Sequence, residues 1–295
     1  MTVLVTGAGG QVGREILRLA PPDVTVIGLD RRHLDVTDAK AVRAAVREHA
    51  PDTVIHAAAY TAVDRAQAEP ERAMAVNGTG TANLAEACAE CGVGLVALST
   101  DYVFDGAREA AYRPGDSVSP VNVYGASKAR GEAAALAAGG PAVVLRTAWV
   151  FSAAPGNFAS TILRLAGTAP RLRVVADQWG HPTPAGYVAQ AALAAASRVD
   201  ALPDILQVAG APLVTWHDLA TELVEAASAA GLCPQVPVDP VTTEAYGAVA
   251  PRPRRVELDM TASLEALGMA PVDWRDAIPP LLQRWSSPPL KGTAS

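Results

Sequence analysis

The stretch Val3-Leu4-Val5-Thr6-Gly7-Ala8-Gly9-Gly10-Gln11-Val12-Gly13 decides the fold of this 295-residue chain. Val3 to Val5 is a short apolar run of the buried-strand type. The glycines after it fall as G-x-x-G-x-x-G at Gly7, Gly10 and Gly13, and a helical pattern runs from Arg14 to Ala20. Taken alone, such glycines fit any glycine-rich β–α turn. Here a strand precedes them, a helix follows, and Asp30 closes the next apolar segment, Val24 to Asp30. That context predicts a dinucleotide-binding turn. Glycine permits the tight turn and lets a pyrophosphate approach the helix N-terminus, while Asp30 accepts from an adenosine ribose hydroxyl.

Working outward, the β–α alternation continues. Thr37 is placed to cap a helix over Asp38 to His49. A strand is expected over Thr53 to Ala58, a long helix over Glu69 to Cys91, and a strand over Gly94 to Thr100. A further helix starts at Tyr124, and Ala142 to Val150 reads as a strand. Near-continuous apolar strands between helices imply a parallel sheet covered on both faces. The expected fold is therefore α/β: a Rossmann-type doubly wound parallel sheet with a smaller C-terminal α/β substrate-binding domain. Residues 1–150 form the dinucleotide-binding domain, part of 184–210 returns to it, and 151–295 is mainly the substrate-binding domain. Past Val150 proline and glycine become frequent and the elements shorten. Helices are expected near Phe158 to Ala166, Tyr187 to Arg198 and Asp218 to Ala230, with extended segments at Leu172 to Trp179 and Ile205 to Ala209. The tail after Ser286 is expected to be mobile.

Tyr124-Gly125-Ala126-Ser127-Lys128 carries the chemistry. A phenol and an ammonium four residues apart share one helix face. The chain holds 21 Arg but only three Lys, at 40, 128 and 291. A Lys at 128 therefore suggests a need for a compact charge with rotatable donors. Beside a tyrosine, such a group can hold a nicotinamide ribose and favour the phenolate, so the phenol serves as a renewable proton donor. Ser99-Thr100-Asp101-Tyr102 follows the fourth strand, and Ala57-Ala58-Ala59-Tyr60-Thr61 follows the third. Both fall at the carboxyl edge of the sheet, bordering the same crevice as Tyr124 and Lys128. A hydroxyl (Thr100), a phenol and an ammonium beside a hydride carrier suit carbonyl reduction: Tyr124 protonates the oxygen and Thr100 polarises it.

Composition excludes other classes. A net charge of −6 argues against nonspecific nucleic-acid or anionic-membrane binding. No apolar run is long enough to span a bilayer, and the first strand begins at residue 2, which predicts no signal peptide. Three cysteines, an odd number, predict a reducing compartment, so the chain is expected to be cytoplasmic. Cys88 and Cys91 form a C-x-x-C inside an alanine-rich helix and are read as buried small residues. The five histidines have no ligand spacing, no G-x-S-x-G elbow occurs, and no metal is predicted.

With these motifs in view, the chain resembles the extended short-chain dehydrogenase/reductases, and within them the dTDP-4-dehydrorhamnose reductase family. The matching blocks are Gly7 to Gly13, Ala57 to Asp64 (A-A-A-Y-T-A-V-D), Ser99 to Gly106 (S-T-D-Y-V-F-D-G) and Asn122 to Lys128 (N-V-Y-G-A-S-K). Further blocks are Arg146 to Phe151 (R-T-A-W-V-F), Asn157-Phe158, Asp177 to Thr183 (D-Q-W-G-H-P-T) and Arg252-Pro253. The resemblance implies NADPH- or NADH-dependent reduction of a 4-keto-6-deoxyhexose carried on dTDP, within dTDP-rhamnose or other deoxysugar biosynthesis. It places Gly10, Gln11, Val12, Asp30, Asp35, Val36, Ala59, Tyr60 and Thr61 on the cofactor, with Gly7, Gly13, Arg31 and Ala58 beside them. Thr100, Tyr124 and Lys128 become the catalytic set. Asp101, Tyr102, Trp149, Asn157 and Arg252 are expected at the substrate, with Trp149 as an exposed aromatic wall. A homodimer is also expected.

The chain departs from the family at Arg252-Pro253-Arg254-Arg255-Val256, where the family carries Asn-Ser after its Arg-Pro. The added guanidinium groups fit either a pyrophosphate grip or a solvated surface run. Glu15 matches one position of an intersubunit magnesium site found in some members, but no convincing tail Glu accompanies it. Asp101 is followed by Tyr102, not by the second acid of a 4,6-dehydratase. An epimerase would keep the same triad. The alternatives are a sibling ketoreductase serving another deoxysugar, such as dihydrostreptose, and a non-catalytic NAD(P)-binding regulatory subunit. Cofactor choice is open: Asp30 favours NADH, while Arg31 and Arg32 can pair with a 2′-phosphate.

Overall fold

The computed structural model describes residues 1–286, so the expectation for the tail after Ser286 lies outside the described residues. The first half alternates as the apolar periodicity requires. Strand β1 (Thr2–Thr6) leads to α1 (Gln11–Leu19), β2 (Thr25–Leu29), α2 (Ala39–His49) and β3 (Thr53–His56). Short helices α3 (Val63–Ala68) and α4 (Pro70–Ala73) precede a π-helical turn at Met74–Thr79, which runs into α5 (Gly80–Cys91). Then come β4 (Gly94–Thr100), a 3₁₀ turn at Asp101–Val103, α6 (Val123–Ala137) and β5 (Ala142–Thr147).

The second half is built of shorter pieces. It contains β6 (Val150–Phe151), α7 (Phe158–Ala166), β7 (Leu172–Val175), β8 (Trp179–Gly180), β9 (Thr183–Pro184) and α8 (Ala185–Ala196). It continues with β10 (Ile205–Gln207), β11 (Val214–Thr215), α9 (Trp216–Ala229), β12 (Val238–Val241), α10 (Thr243–Tyr246), α11 (Thr261–Leu267) and α12 (Ile278–Ser286).

Six parallel strands form one sheet in the order β10-β5-β4-β3-β1-β2. Alternation along β1 explains the layering. Val3 and Val5 pack with Ile16 of α1 and with α8, while Leu4 on the opposite face packs with α2 and α5. Strand order reverses at β1, between β2 and β3, so a crevice opens there at the carboxyl ends, where ligands bind in such sheets. A separate apolar cluster, from α7, β7, α9, Trp274 and α12, stands beside the sheet.

Three local expectations are corrected. Asp38, not Thr37, caps α2: its carboxylate accepts from the Lys40 and Ala41 backbone N–H groups, while the Thr37 hydroxyl donates to Asp35. The helix expected over Glu69 to Cys91 starts as α4 at Pro70 and widens into the π turn at Met74–Thr79. That turn holds Asn77, whose side-chain amide pairs with both backbone groups of Tyr60 (2.7 and 3.0 Å) and donates to Ser127 Oγ (2.9 Å). Finally, Cys91 is exposed; only Cys88 of the pair is buried.

Helix α6 presses unusually close to the 3₁₀ turn after β4. A Cβ on Gly125 would lie 2.0 Å from the Tyr102 carbonyl oxygen. Asn122 caps the helix through Gly125 N (2.8 Å) and reaches Pro251 O (2.9 Å), and Gln67 accepts from Val123 N (2.8 Å). Gly125→Ala forces backbone apart from backbone. It is expected to cost at least about 2 kcal/mol in urea unfolding; a cost under 0.5 kcal/mol, measured on the purified variant, contradicts this packing.

Candidate active site

A groove follows the switch point. Its adenosine-side cavity, about 440 Å³, is lined by Gly7, Gly9, Gly10, Asp30, Arg31, Arg32, Asp35, Val36, Ala58, Ala59 and Tyr60, among others. A second cavity, about 330 Å³, shares Gly9, Gly10, Ala57 and Ala59 with it and continues to Gln11, Val12, Thr61, Tyr124, Lys128 and Thr147. Together they form one elongated cleft over the N-terminus of α1, where unpaired N–H groups and the helix dipole favour an anion. Gly7 sits at φ +71°, and a Cβ on it would meet Ala58 N at 2.5 Å, so the loop needs glycine there. Gly13 lines neither cavity. Its added Cβ would strike Gly7 O at 2.4 Å, so it serves helix-to-loop packing rather than ligand contact. These features fit a dinucleotide.

Asp30 is already engaged. Arg32 grips its carboxylate through Nη2 (2.8 Å) and Nε (3.2 Å), and His33 Nδ1 lies at 2.8 Å. The Arg32 hydrogen bond, first of all, holds Asp30 well below the usual carboxylate range. Asp35 accepts from Thr37 N and Oγ1, which orders the loop that brings Val36 to the cavity wall. Arg31 lines the cavity, and no hydrogen bond or ion pair engages it among the described residues.

Thr100, Tyr124 and Lys128 converge. Thr100 is the last residue of β4, and α6 starts at Val123 and carries the other two. Burial pushes the half-buried Tyr124 phenol up to about 12, against a hydrogen bond with the Thr100 hydroxyl that favours its phenolate. Tyr124 thus keeps its proton at neutral pH. Lys128 is buried and its Nζ donates to Leu98 O at 2.6 Å. Burial lowers its ammonium to about 8, opposed by Glu132 one helical turn later. Glu132 is itself buried in a bidentate pair with Arg146 (2.7 and 2.9 Å) and accepts from Ser99 Oγ (2.5 Å). His56, beneath the site, bonds Thr6 and Thr81, and burial, then Lys128, depresses it to about 3, so it is neutral.

Asp101 is fully enclosed. Thr100 Oγ1 donates to its carboxyl at 2.9 Å, and burial raises it to about 7 despite that bond. Tyr102 stands edge-on to Tyr124, with ring centroids 5.8 Å apart, and also lines a third cavity of about 470 Å³. That cavity holds Phe158, Arg173, Gln178, Trp216, Tyr246 and Arg252. Arg252 pairs with Asp64 across 188 positions of chain, by contacts of 2.5 and 2.8 Å. Arg173 has no hydrogen bond or ion pair among the described residues.

Two substrate-side expectations change. Trp149 is not an exposed wall. At φ +40°, it stacks on Trp216 (3.5 Å, 7° between planes), and a Cβ on Gly180 would strike its indole at 2.3 Å. Trp216, not Trp149, lines the third cavity, with Tyr102, Phe158 and Tyr246. Asn157 caps α7 through Ser160 N and donates to Ser152 O and Ala154 O. Its Nδ2 is spent on the loop whose residues 154–156 line the second cavity, and its Oδ1 on the first turn of α7. Arg255 pairs with Glu257 and lies over Trp179, and neither it nor Arg254 lines the cleft, which favours the surface reading of that run. Trp216, Arg173 and Asn77 had escaped the sequence reading. Each sits in a helix or strand pattern that looks structural until distant segments meet. Thr215 capping Trp216 (T-W-H-D, a capping box) was the one local signal for a fixed aromatic at a helix start.

The family model described as RmlD substrate binding domain matches residues 1–287. The chain belongs to that family. A dTDP-4-dehydrorhamnose reductase of Aggregatibacter actinomycetemcomitans is 38% identical over 283 residues, covering 94% of this chain and 96% of the relative. A probable dTDP-4,6-dihydroxy-2-methyloxan-3-one 4-ketoreductase of Streptomyces antibioticus is also 38% identical, over the whole of both chains. The solved dTDP-4-dehydrorhamnose reductase of Bacillus anthracis, in complex with NADP, superposes with a TM-score of 0.87 at 32% identity, over 96% of this chain and 98% of the other. The fold and the oxidoreductase class expected from the Gly7 loop and the Tyr124–Lys128 pair thus hold. Among the described residues, no helix is long and apolar enough to cross a membrane.

Asp101 gives a pH test. Folded, it keeps its proton up to about pH 7; unfolded, it ionises near 3.8. Between these values the folded chain binds more protons, so stability is lost as pH rises from 4 to 7. Asp101→Asn is expected to exceed the wild type in stability at pH 8 by on the order of 1–3 kcal/mol, the gap closing towards pH 4. Urea unfolding at both pH values measures this; a gap independent of pH contradicts the buried, protonated acid.

Proposed function

We propose that this chain reduces the C4 ketone of a dTDP-4-keto-6-deoxyhexose with NADPH or NADH, and that its substrate is dTDP-4-dehydro-L-rhamnose, giving dTDP-L-rhamnose. The observation that carries this is that Tyr124 and Lys128 line the cleft, with Thr100 beside Tyr124 at the end of β4, while Tyr102, edge-on to Tyr124, lines the separate aromatic cavity. Residues 1–150, with the returning segment, hold the dinucleotide; most of 151–295 holds the sugar nucleotide. When bound, the reduced nicotinamide supplies the hydride. The chain's own groups do the rest. Thr100 and Tyr124 hydrogen-bond the ketone oxygen, and Tyr124 gives it a proton as negative charge develops there. Lys128, anchored on Leu98 O and biased towards its ammonium form by Glu132, keeps a positive charge beside the phenol as that proton leaves. Tyr102 and Arg252 border the sugar, while Trp216, Phe158 and the unpaired Arg173 suit the base and diphosphate.

The full-length likeness to the Streptomyces antibioticus ketoreductase favours a second substrate, a related dTDP-4-ketohexose, for the same residues and chemistry. Tyr124→Phe is expected to keep cofactor affinity and lose roughly 10²–10⁴-fold in kcat with dTDP-4-dehydro-L-rhamnose. Near-normal turnover removes Tyr124 as the acid. A wild type that binds cofactor yet oxidises it with no dTDP-4-ketohexose restores the regulatory-subunit reading.

Cofactor choice follows from the adenosine side. Arg32 already offsets the charge of Asp30, and Arg31 is left to meet a 2′-phosphate. Replacing both Arg31 and Arg32 with Ala is expected to raise KM for NADPH roughly tenfold more than KM for NADH. Equal changes in the two constants contradict a phosphate-binding role.

A further inference from the structure

Thr147 ends β5 directly beside Thr100 in register, and lines the cavity that holds Gln11, Tyr124, Lys128 and Val150. Its hydroxyl oxygen is buried without a hydrogen-bond partner. Two other described side-chain atoms share that condition, Gln207 Oε1 and Arg255 Nε. Each belongs to a side chain otherwise well bonded: Gln207 Nε2 donates to Tyr112 O and Asp259 O, and Arg255 to Glu257. The only polar side-chain atom of Thr147 has nothing. A buried hydroxyl left unpaired destabilises a fold, and valine would fill the same volume without that cost. The residue nonetheless ends a strand whose preceding positions, Val143 to Leu145, are the aliphatics such a strand wants. A rotation of about 120° at χ1 carries a threonine's hydroxyl to the place the methyl or the hydrogen held, so the oxygen has other staggered wells.

We propose that Thr147 is a cofactor-positioning residue whose hydroxyl is reserved for the nicotinamide nucleoside end of the dinucleotide. The inference rests on the dinucleotide reading given above. Location supports that end over the other: Thr147 lies with Tyr124 and Lys128, and the adenosine-side cavity does not include it. The carboxamide and ribose hydroxyls of that nucleoside carry both donors and acceptors, so either can pair with a threonine hydroxyl.

The test compares wild type, Thr147→Val and Thr147→Ser. Melting of the ligand-free proteins is measured by calorimetry. Binding of NADPH and NADH is followed by nicotinamide fluorescence, and binding of ADP, which lacks the nicotinamide nucleoside, by titration calorimetry. Thr147→Val is expected to melt at or above the wild-type temperature and to bind the reduced dinucleotides roughly tenfold more weakly, with ADP unchanged. Thr147→Ser should recover most of the loss. A lower melting temperature in Thr147→Val, with equal weakening of all three ligands, makes the hydroxyl structural and overturns the inference. Unchanged NADPH and NADH affinity in Thr147→Val overturns it alone. A wild type that binds none of the three overturns the dinucleotide reading, and this inference with it.

Discussion

The site depends on one close approach. Helix α6 can deliver Tyr124 and Lys128 to the end of β4 only because Gly125 lets its backbone rest against the Tyr102 carbonyl. Thr100 stands at the end of β4 beside Tyr124, and Lys128 reaches Leu98 O of the same strand, across that contact. Side chains lock its first turns: Asn122 as cap, itself held on the Pro251 carbonyl, Gln67 accepting from Val123 N, and Asn77 joining Ser127 to Tyr60. The π turn that carries Asn77 is therefore part of the same device, since it couples the Tyr60 loop to helix α6. Substituting the glycine would separate the elements that bring Thr100, Tyr124 and Lys128 together.

Beneath this contact the chain buries charge in compensated sets. Glu132 and Arg146 satisfy each other bidentately, with Ser99 on the remaining lone pair. Such a pair is costly to bury and weak as a stabiliser, but removing one partner leaves an exposed deficit in a low-dielectric interior. It sits one turn behind Lys128 and opposes the desolvation that lowers the ammonium. Asp101 is handled in the opposite way. It has a hydroxyl donor and no cation, so burial wins and the acid is protonated near neutrality. The two treatments leave a cation and a neutral acid flanking a phenol that holds its proton.

Much of this was legible in the residues. The parallel sheet followed from apolar strands at regular spacing, the cleft from glycines in strand–helix context, and the triad from Tyr124, Lys128 and a strand-end Thr. Short-range detail was less so. Thr37 and Asp38 are both good caps, and the side chain that reaches the first turn is fixed by the chain's entry angle. The break inside Glu69 to Cys91 falls at Asn77-Gly78-Thr79-Gly80, where the glycines mark a weak point in the helix but do not specify a π turn. Trp149 read as a free aromatic because its partner, Trp216, lies 67 positions away, and Gly180 closes the other side. Asn157 fits a polar ligand contact as well as a helix cap, and only the paths of Ser152 and Ala154 decide between them. The third cavity takes its wall from α7, β7, α9 and α10, whose meeting no local pattern records.

The most direct measurement is the fate of a deuterium label. The enzyme would be given cofactor carrying deuteride at the transferred position together with enzymatically prepared dTDP-4-dehydro-L-rhamnose, and the product sugar read by NMR. Reduction through the Thr100–Tyr124–Lys128 site predicts one cofactor oxidised per sugar, deuterium bonded to C4, and dTDP-L-rhamnose as product. Conversion without net cofactor oxidation, or a product with no deuterium at C4, would contradict ketone reduction at this site.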